Sequence, residues 1–354
     1  MAARDGALGP DRGGSEFSPS LEVELTAEER KAGLSGAGPY RLAARRLRRN
    51  RTALAAGGVF VLLVFACLAA PVWSNIAGRS YDEQPGGSET VEKGGEEVLI
   101  VSFEGIPIGP TWNKEFFLGA DSSGRDVLVR LLYGGRNSLL IGMAAAIITT
   151  LLGMIIGLLA GYSRGWVDSA LSRLLDVIWA FPVILLGIAL GTALAEDGLK
   201  VGPVEIAGNS LLIPIFIIAI VYVPYLARPI RGEVLALREK EYVEAARAQG
   251  QGPLRIMFTE ILPNVVTTLI VFFPLLVANA VLLEAALSFL GAGVQPPSPS
   301  WGSMIDDGVE RIVSAAHLAI VPGAMLVLTV LSLNIFGDGV RDALDPRAKL
   351  KIDH

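Results

Sequence analysis

The sequence has little of what enzymes use for polar chemistry. It contains one cysteine, Cys67, and two histidines, His317 and His354. A single cysteine excludes an internal disulfide and a cysteine metal cluster. An intramembrane serine protease is disfavoured, because the histidines are poorly placed and there is no Gly-x-Ser-x-Gly elbow. The Gly-x-x-x-x-Gly-Lys-[Ser/Thr] phosphate loop is also absent, so we expect no cofactor, no metal and no ATP site of the usual kind.

Charged residues are scarce as well. They make up 18% of the 354 residues, whereas hydrophobic residues make up 52% and occur in blocks. Crossing a bilayer takes about 20 mostly apolar residues. Five stretches meet this length, and they are 53–73, 139–161, 174–195, 265–290 and 318–336. A sixth stretch, 211–227, is shorter. The sequence therefore predicts an all-α, polytopic membrane protein with six transmembrane helices.

The placement of lysine and arginine predicts the orientation of these spans. Basic residues crowd positions 41–51, the links after the second and fourth spans, and the tail after the sixth, whereas Lys200 and Arg311 stand alone in alternate links. By the positive-inside rule, both termini face the cytoplasm. The first span, preceded by arginines, could be a signal peptide, but its length and the polar tail before it favour a retained anchor.

Arg125, Arg130 and Arg136 are exceptions, because they precede the second span on the predicted outer side. Apolar residues at helical spacing within 127–132 predict a helix lying along the outer interface, with the arginines reaching towards the headgroups. The segment before it contains the strand-like sequence EEVLIVSF. The predicted organisation is a disordered cytoplasmic tail (1–40), an anchor helix (41–73), an external excursion with an interfacial helix (74–135), a core domain (136–340) and a cytoplasmic tail (341–354).

A polar passage, EAARAQGQGPLRIMFTEILPN, separates the fourth and fifth spans. Helix formers precede Gly250 and Gly252, and Pro253 suits the first turn of a new helix. A face of small residues, formed by Val243, Ala246 and Gly250, would let another backbone approach closely. An apolar stripe follows it and consists of Leu254, Met257, Phe258 and Ile261. The sequence predicts a helix-turn-helix elbow within 239–263 on the cytoplasmic face. The alternative is an amphipathic connector resting on the membrane.

This passage resembles the EAA loop of the inner-membrane permeases of binding-protein-dependent ABC importers. The matching residues are Glu244, Ala245, Ala246, Gly250, Leu262 and Pro263. The sequence departs from the family's pattern at Glu260, where isoleucine is usual. Four further passages are similar to the "C" type permease of dipeptide and oligopeptide systems, and they are RRNRTALAAGGVFVLLVFACLAAP, SSGRDVLVRLLYGGRNSL, LSFLGAGVQPPSPSWGSMI and GDGVRDALDPR.

The resemblance implies the type I ABC importer permease fold and a subunit of the bacterial cytoplasmic membrane that moves peptides by alternating access. The implied partners are a homologous permease in a heterodimer, one or two ABC ATPase subunits, an extracytoplasmic peptide-binding protein and the lipid bilayer, with no role for nucleic acid. Nickel chelates and glutathione are alternative solutes. A secondary transporter or channel is a less favoured class, because it would not need the cytoplasmic elbow.

The resemblance and the spans together give the candidate functional residues. Coupling to the ATPase is expected from Glu244, Ala245, Ala246, Gly250, Leu254 and Pro263. Docking of the binding protein is expected from Gln295, Pro296 and Trp301, although this loop could instead only shape the outer mouth. Intramembrane polar residues mark pathways. The candidates are Asp176, Asn279, Glu284 and Asn334, of which Asn279 and Glu284 are the predicted pathway residues, while Glu284 and Asp176 could also be structural. Near the inner end, a capping and ion-pairing cluster is predicted from Asp338, Arg341, Asp342 and Asp345.

Overall fold

The computed structural model describes residues 39–86, 89–201 and 203–345. Residues 1–38 of the predicted disordered tail and most of the C-terminal tail lie outside this part of the chain, whereas residues 39 and 40 are helical. The helices are α1 Pro39–Arg49, α2 Arg51–Leu68, α3 Ala70–Ala77, α4 Val127–Tyr162, α5 Trp166–Trp179, α6 Val183–Asp197, α7 Leu212–Leu237, α8 Glu241–Ala248, α9 Pro253–Ile256, α10 Leu262–Phe289, α11 Trp301–Val309 and α12 His317–Leu344. The strands are β1 Thr90–Lys93, β2 Glu96–Leu99, β3 Leu199–Val201 and β4 Val204–Ile206, with a π-helical turn at Met257–Ile261.

Five helical stretches of the described residues are long and apolar enough to cross a membrane. The predicted third span is instead a broken one, because α5 and α6 meet at an angle of 84°. Pro182 lies at the break and disfavours a helical conformation for Phe181, the residue before it. Counting this bent pair as one span gives the six that the sequence predicts, and the all-α polytopic class is confirmed.

Glycines bring α4 and α7 into close contact. Gly153, Gly157 and Gly161 recur every four residues along α4 and face Leu226, Ile230 and Val234 of α7. A Cβ atom added at Gly157 would lie 2.7 Å from the Cβ atom of Ile230. Because lipid tails are as apolar as leucine, such close packing is a main source of helix association in a membrane. This pair of helices forms the centre of the bundle and supports the elbow that follows α7.

The external excursion has a small hydrophobic core of its own. Its antiparallel hairpin pairs Thr90 with Leu99 and turns at two glycines, as the strand-like sequence predicts. The buried side chains beneath it are Ile100, Ile108, Phe116 and Ala120. β3 and β4 form a second hairpin in the link between α6 and α7. The excursion is therefore an ordered unit with its own core.

The predicted interfacial helix is not a separate element. Residues 127–132 are the first turns of α4, which begins at Val127 because the Asp126 side chain accepts hydrogen bonds from the N–H groups of Leu128 and Val129. Arg130 does not reach towards headgroups, since it is only 4% exposed. Its Nε lies 3.2 Å from Asp121 Oδ2 and its Nη1 donates to the Tyr81 carbonyl. A buried arginine needs such partners. They explain why an arginine occurs in a part of the chain where the charge pattern predicts few basic residues.

Candidate functional site

The elbow between α8 and α9 is closed by a glycine in the left-handed conformation. Gly250 has φ of 76°. Its N–H donates to the Arg247 carbonyl, and the N–H of Gln251 donates to the Ala246 carbonyl. These two bonds form a Schellman motif, which ends a helix and reverses the chain. The predicted turn at Gly250 therefore has the backbone geometry that favours glycine.

The small-residue face of α8 points into the chain. Val243 is 0% exposed and Ala246 is 4% exposed, and both belong to the core that contains Ile256 and Ile261. The expectation that this face receives the backbone of another protein is therefore corrected for these two residues, because the backbone they pack against belongs to this chain. Gly250, by contrast, is exposed. The buried face packs α8 against the core cluster that also contains residues of α7 and α10.

The outward face of the elbow combines a carboxylate with apolar side chains. Glu244 and Ala245 are exposed on α8, and Leu254 and Phe258 are 66% and 61% exposed. The predicted apolar stripe therefore divides, since Met257 and Ile261 are buried. Phe258 is not among the residues predicted to couple to the ATPase, although its position four residues after Leu254 indicates that the two share a helix face. We call the surface of Glu244, Ala245, Leu254 and Phe258 the elbow face.

Pro263 does not end the helix that leaves the elbow. The π-helical turn lies directly before α10, and the helical run continues from Pro253 to Phe289. Pro263 occupies the first turn of α10, where its missing N–H and bulky ring are accommodated by the wider π turn. Leu254 and Phe258 of the elbow face are therefore on the same continuous helical run as the fifth span.

Polar contacts join the elbow to the inner ends of other helices. Arg238, which follows α7, donates from Nη1 to the Gly161 carbonyl at 2.9 Å. The Arg247 guanidinium lies 5.7 Å from the ring centroid of Tyr162. Burial, followed by the charge of Glu260, raises the pKa of Tyr242, so this phenol stays neutral beside Asn264. The elbow region is thus in contact with α4, α7 and α10.

The outer mouth is built around Trp301. This side chain is 0% exposed, and its indole N–H donates to the Leu131 carbonyl at 3.1 Å. It therefore offers no docking surface, which corrects the expectation from the sequence. Gln295 folds back to donate to the carbonyls of Gly291 and Gly293. Of the three predicted docking residues only Pro296 is exposed.

A cluster of charges fastens the mouth to the excursion. Asp307 of α11 lies 3.6 Å from Arg125 and 3.7 Å from Arg130, and both arginines also pair with Asp121. Burial raises the pKa of Asp307, and the two arginines oppose that shift. Two segments that are distant in sequence, residues 121–130 and α11, therefore meet at one ionic cluster.

The two predicted pathway residues have different surroundings. Asn279 is half-buried, and its carbonyl accepts a hydrogen bond from the Tyr222 hydroxyl. Glu284 is 0% exposed and accepts a hydrogen bond from Ser288 at 2.7 Å, with the hydroxyls of Ser138 and Ser300 nearby. Glu284 therefore ties the outer end of α10 to its neighbours and lines no pathway in this conformation. Asp176 pairs with Arg228 at 2.7 Å, in agreement with a structural role.

Comparison with protein families identifies the relatives of this architecture. The model of the binding-protein-dependent transport system inner membrane component matches residues 153–350, which include the whole elbow. The chain belongs to this family. The model of the N-terminal transmembrane domain of oligopeptide transport permease C matches residues 38–85. The resemblance noted in the sequence is confirmed, and the chain is a multi-pass permease of the inner membrane.

Individual relatives support the assignment over most of the chain. The chain is 37% identical over 311 residues to the glutathione transport system permease protein GsiD of Pectobacterium atrosepticum, covering 88% of this chain and 92% of that protein. It is also 37% identical to the dipeptide transport system permease protein DppC of Alkalihalophilus pseudofirmus, covering 88% and 91%. An inward-facing structure of the MetNI methionine ABC transporter matches with a TM-score of 0.48 and 20% identity, covering 60% of this chain and 95% of that chain.

Proposed function

We propose that the chain is the transmembrane permease subunit of an ATP-driven importer that carries di- or oligopeptides across the cytoplasmic membrane by alternating access. The observation that carries this proposal is the elbow face, where Leu254 and Phe258 present apolar surface next to the Glu244 carboxylate. Apolar side chains exposed beside a charged group fit a protein groove. The names of the relatives support a peptide as the solute.

The proposed assembly follows from the family. A homologous permease completes the pathway, one or two separate ABC ATPases receive the elbow faces, and an extracytoplasmic peptide-binding protein docks over the mouth near Pro296. In this arrangement the elbow and both termini are cytoplasmic. Nucleotide-driven closure of the ATPases would move the elbows and reorient the spans. The chain itself hydrolyses no ATP, since its sequence contains no phosphate loop.

The elbow face is expected to be the main attachment of the ATPase. The double variant Leu254→Asp/Phe258→Asp should weaken ATPase binding about 30-fold or more, because central apolar contacts often contribute at least 2 kcal/mol each. Co-purification of the ATPase and uptake of a labelled dipeptide should both fall, at unchanged membrane abundance. The conservative pair Leu254→Met/Phe258→Leu serves as the control and should retain both. Normal attachment and uptake in the double aspartate variant would identify the elbow as a membrane-surface connector.

The orientation has a direct chemical test. In a Cys67→Ala background, Glu104→Cys in the excursion and Gln249→Cys in the elbow both place a thiol at an exposed position. The positive-inside pattern places them on opposite sides of the membrane. An impermeant maleimide added to intact spheroplasts should label Glu104→Cys, and Gln249→Cys should react only after lysis. Reaction of the elbow thiol in intact spheroplasts would reverse the proposed orientation.

A second candidate solute is glutathione, which the name of one relative at 37% identity specifies. Uptake of labelled Ala-Leu should be competed by unlabelled dipeptides and should stop when cellular ATP is depleted while the membrane potential is maintained. Competition by glutathione alone would favour that solute. Uptake that follows the membrane potential and not ATP would instead indicate a secondary transporter.

A further inference from the structure

The pair formed by α10 and α12 has two unlike faces. One face carries an apolar groove of about 400 Å³, lined by side chains that include Val266, Ile270, Phe273, Phe336 and Val340. The opposite face carries a cavity of about 170 Å³, where polar groups of α12 meet an apolar wall on α10. Charged side chains at the depth of a span are tolerated where they face protein or water. The second cavity is therefore the side of the helix pair that suits contact with water or with another protein.

The cavity is shaped by one close helix contact. A Cβ atom added at Gly337 would lie 3.2 Å from the Cβ atom of Pro274, so the two helices nearly touch there. Around this contact, α12 contributes Asn334, Asp338 and Arg341, which share one face at spacings of four and seven residues. The opposing wall on α10 consists of Val271, Phe272 and Leu275.

The polar groups of this cavity are left without partners in the part of the chain that the structure describes. Asp338 and Arg341 make no ion pair there, which corrects the predicted ion-pairing cluster for these two residues. The Asn334 Oδ1 atom is buried and accepts no hydrogen bond. Elsewhere on the same cytoplasmic side, Arg231 binds Asp168 at 2.7 Å. Asp338 and Arg341 are both exposed, so a carboxylate and a guanidinium are open to a ligand at this cavity.

We propose that this cavity is a subsite for the two charged ends of a short peptide at the inner end of the pathway, an inference that rests on the proposed function. The Asp338 carboxylate receives the ammonium group and the Arg341 guanidinium receives the carboxylate, with Asn334 Oδ1 accepting an N–H of the ligand. A cavity of about 150 Å³ accommodates a benzene ring, so this one seats one side chain against Phe272 and Leu275.

The subsite can be tested by changing one charge on the protein and one on the ligand. The full-length chain, purified into nanodiscs with the subunits that accompany it and without nucleotide, is titrated with Ala-Leu, N-acetyl-Ala-Leu and Ala-Leu-amide. Wild type should bind Ala-Leu about tenfold or more tightly than either capped form, since a hydrogen bond to a charged group contributes that much. Asp338→Asn should lose only the preference over the acetylated form, and Arg341→Gln only the preference over the amide.

Matched controls separate the cavity from general surface charge. Asp342→Asn, next to Arg341 in sequence, and Arg173→Gln, on exposed α5, do not alter the cavity lining, and both should keep the wild-type preferences. Equal binding of all three ligands by wild type, or equal losses in the cavity and control variants, would overturn the subsite. Loss of the accompanying permease in Asp338→Asn and Arg341→Gln alone would also overturn it, by showing that these groups contact another subunit.

A lipid headgroup carries similar charges, so the binding titration is repeated in nanodiscs with and without phosphatidylethanolamine. Retention of this lipid that depends on Asp338, with no dipeptide binding, would overturn the proposal in favour of a lipid site. Cellular uptake distinguishes the two levels of inference. If the wild type takes up dipeptides but shows no charge-selective binding, only the proposed subsite is contradicted. If the wild type takes up no dipeptide, the proposed function is contradicted as well.

Discussion

Gly250→Val is expected to lower dipeptide uptake about tenfold or more, because a left-handed backbone costs non-glycine residues about 1–2 kcal/mol and β-branched residues more. A Cβ atom at Gly250 would meet nothing within 4 Å, so the effect is one of backbone conformation and not of crowding. The strained turn would open, and Leu254 and Phe258 would lose their position relative to Glu244. Uptake of labelled Ala-Leu and ATPase co-purification, both corrected for membrane abundance, measure the effect.

The neighbouring Gly252 provides a matched control. It also has open space around it, but its φ is −71°, which any residue adopts. Gly252→Val should therefore transport near the wild-type rate, and Gly250→Asn should retain more activity than Gly250→Val because asparagine tolerates the left-handed region. Similar losses from Gly250→Val and Gly252→Val would show that the turn conformation is not what matters.

Trp301→Ala is expected to destabilise the folded protein by about 3–5 kcal/mol, the range for truncating a large buried aromatic side chain. The cavity would open beside Cys67 and Gly135, since an added Cβ atom at Gly135 would lie 2.6 Å from the indole ring. The hydrogen bond to the Leu131 carbonyl would also be lost. The melting temperature in detergent and the abundance in the membrane should both fall.

Trp166→Ala is the comparison for this prediction, because Trp166 is 79% exposed at the start of α5. Its removal should leave the melting temperature close to that of the wild type. If the two alanine variants had the same melting temperature, the packing of Trp301 at the outer mouth would not limit stability.

The features predicted correctly from the sequence depend on local signals. The spans follow from runs of apolar residues, and the elbow turn follows from glycines next to helix formers and Pro253. These signals need no knowledge of distant contacts. Gly250 in particular was identified as a turn residue from its neighbours alone, and the structure gives it the expected positive φ.

A hydropathy count missed the 84° break between α5 and α6, because a broken span has the same composition as a straight one, although Pro182 marks the position in the sequence. The other features that were missed depend on long-range packing. Trp301 is buried by Leu131, which lies 170 positions earlier. Likewise, Arg130 appeared free to reach the headgroups until the fold brought Asp307 and Tyr81 beside it.

The helical run from Pro253 to Phe289 has the geometry of a lever with unequal arms. Its close contact with Gly337 at Pro274 is a natural fulcrum. At a rise of 1.5 Å per residue, the arm towards the elbow is about 30 Å long and the arm towards the outer mouth about 20 Å. A push of about 5 Å on the elbow would then move the outer end about 3–4 Å in the opposite direction. Opening on one side and closing on the other would be a single mechanical event.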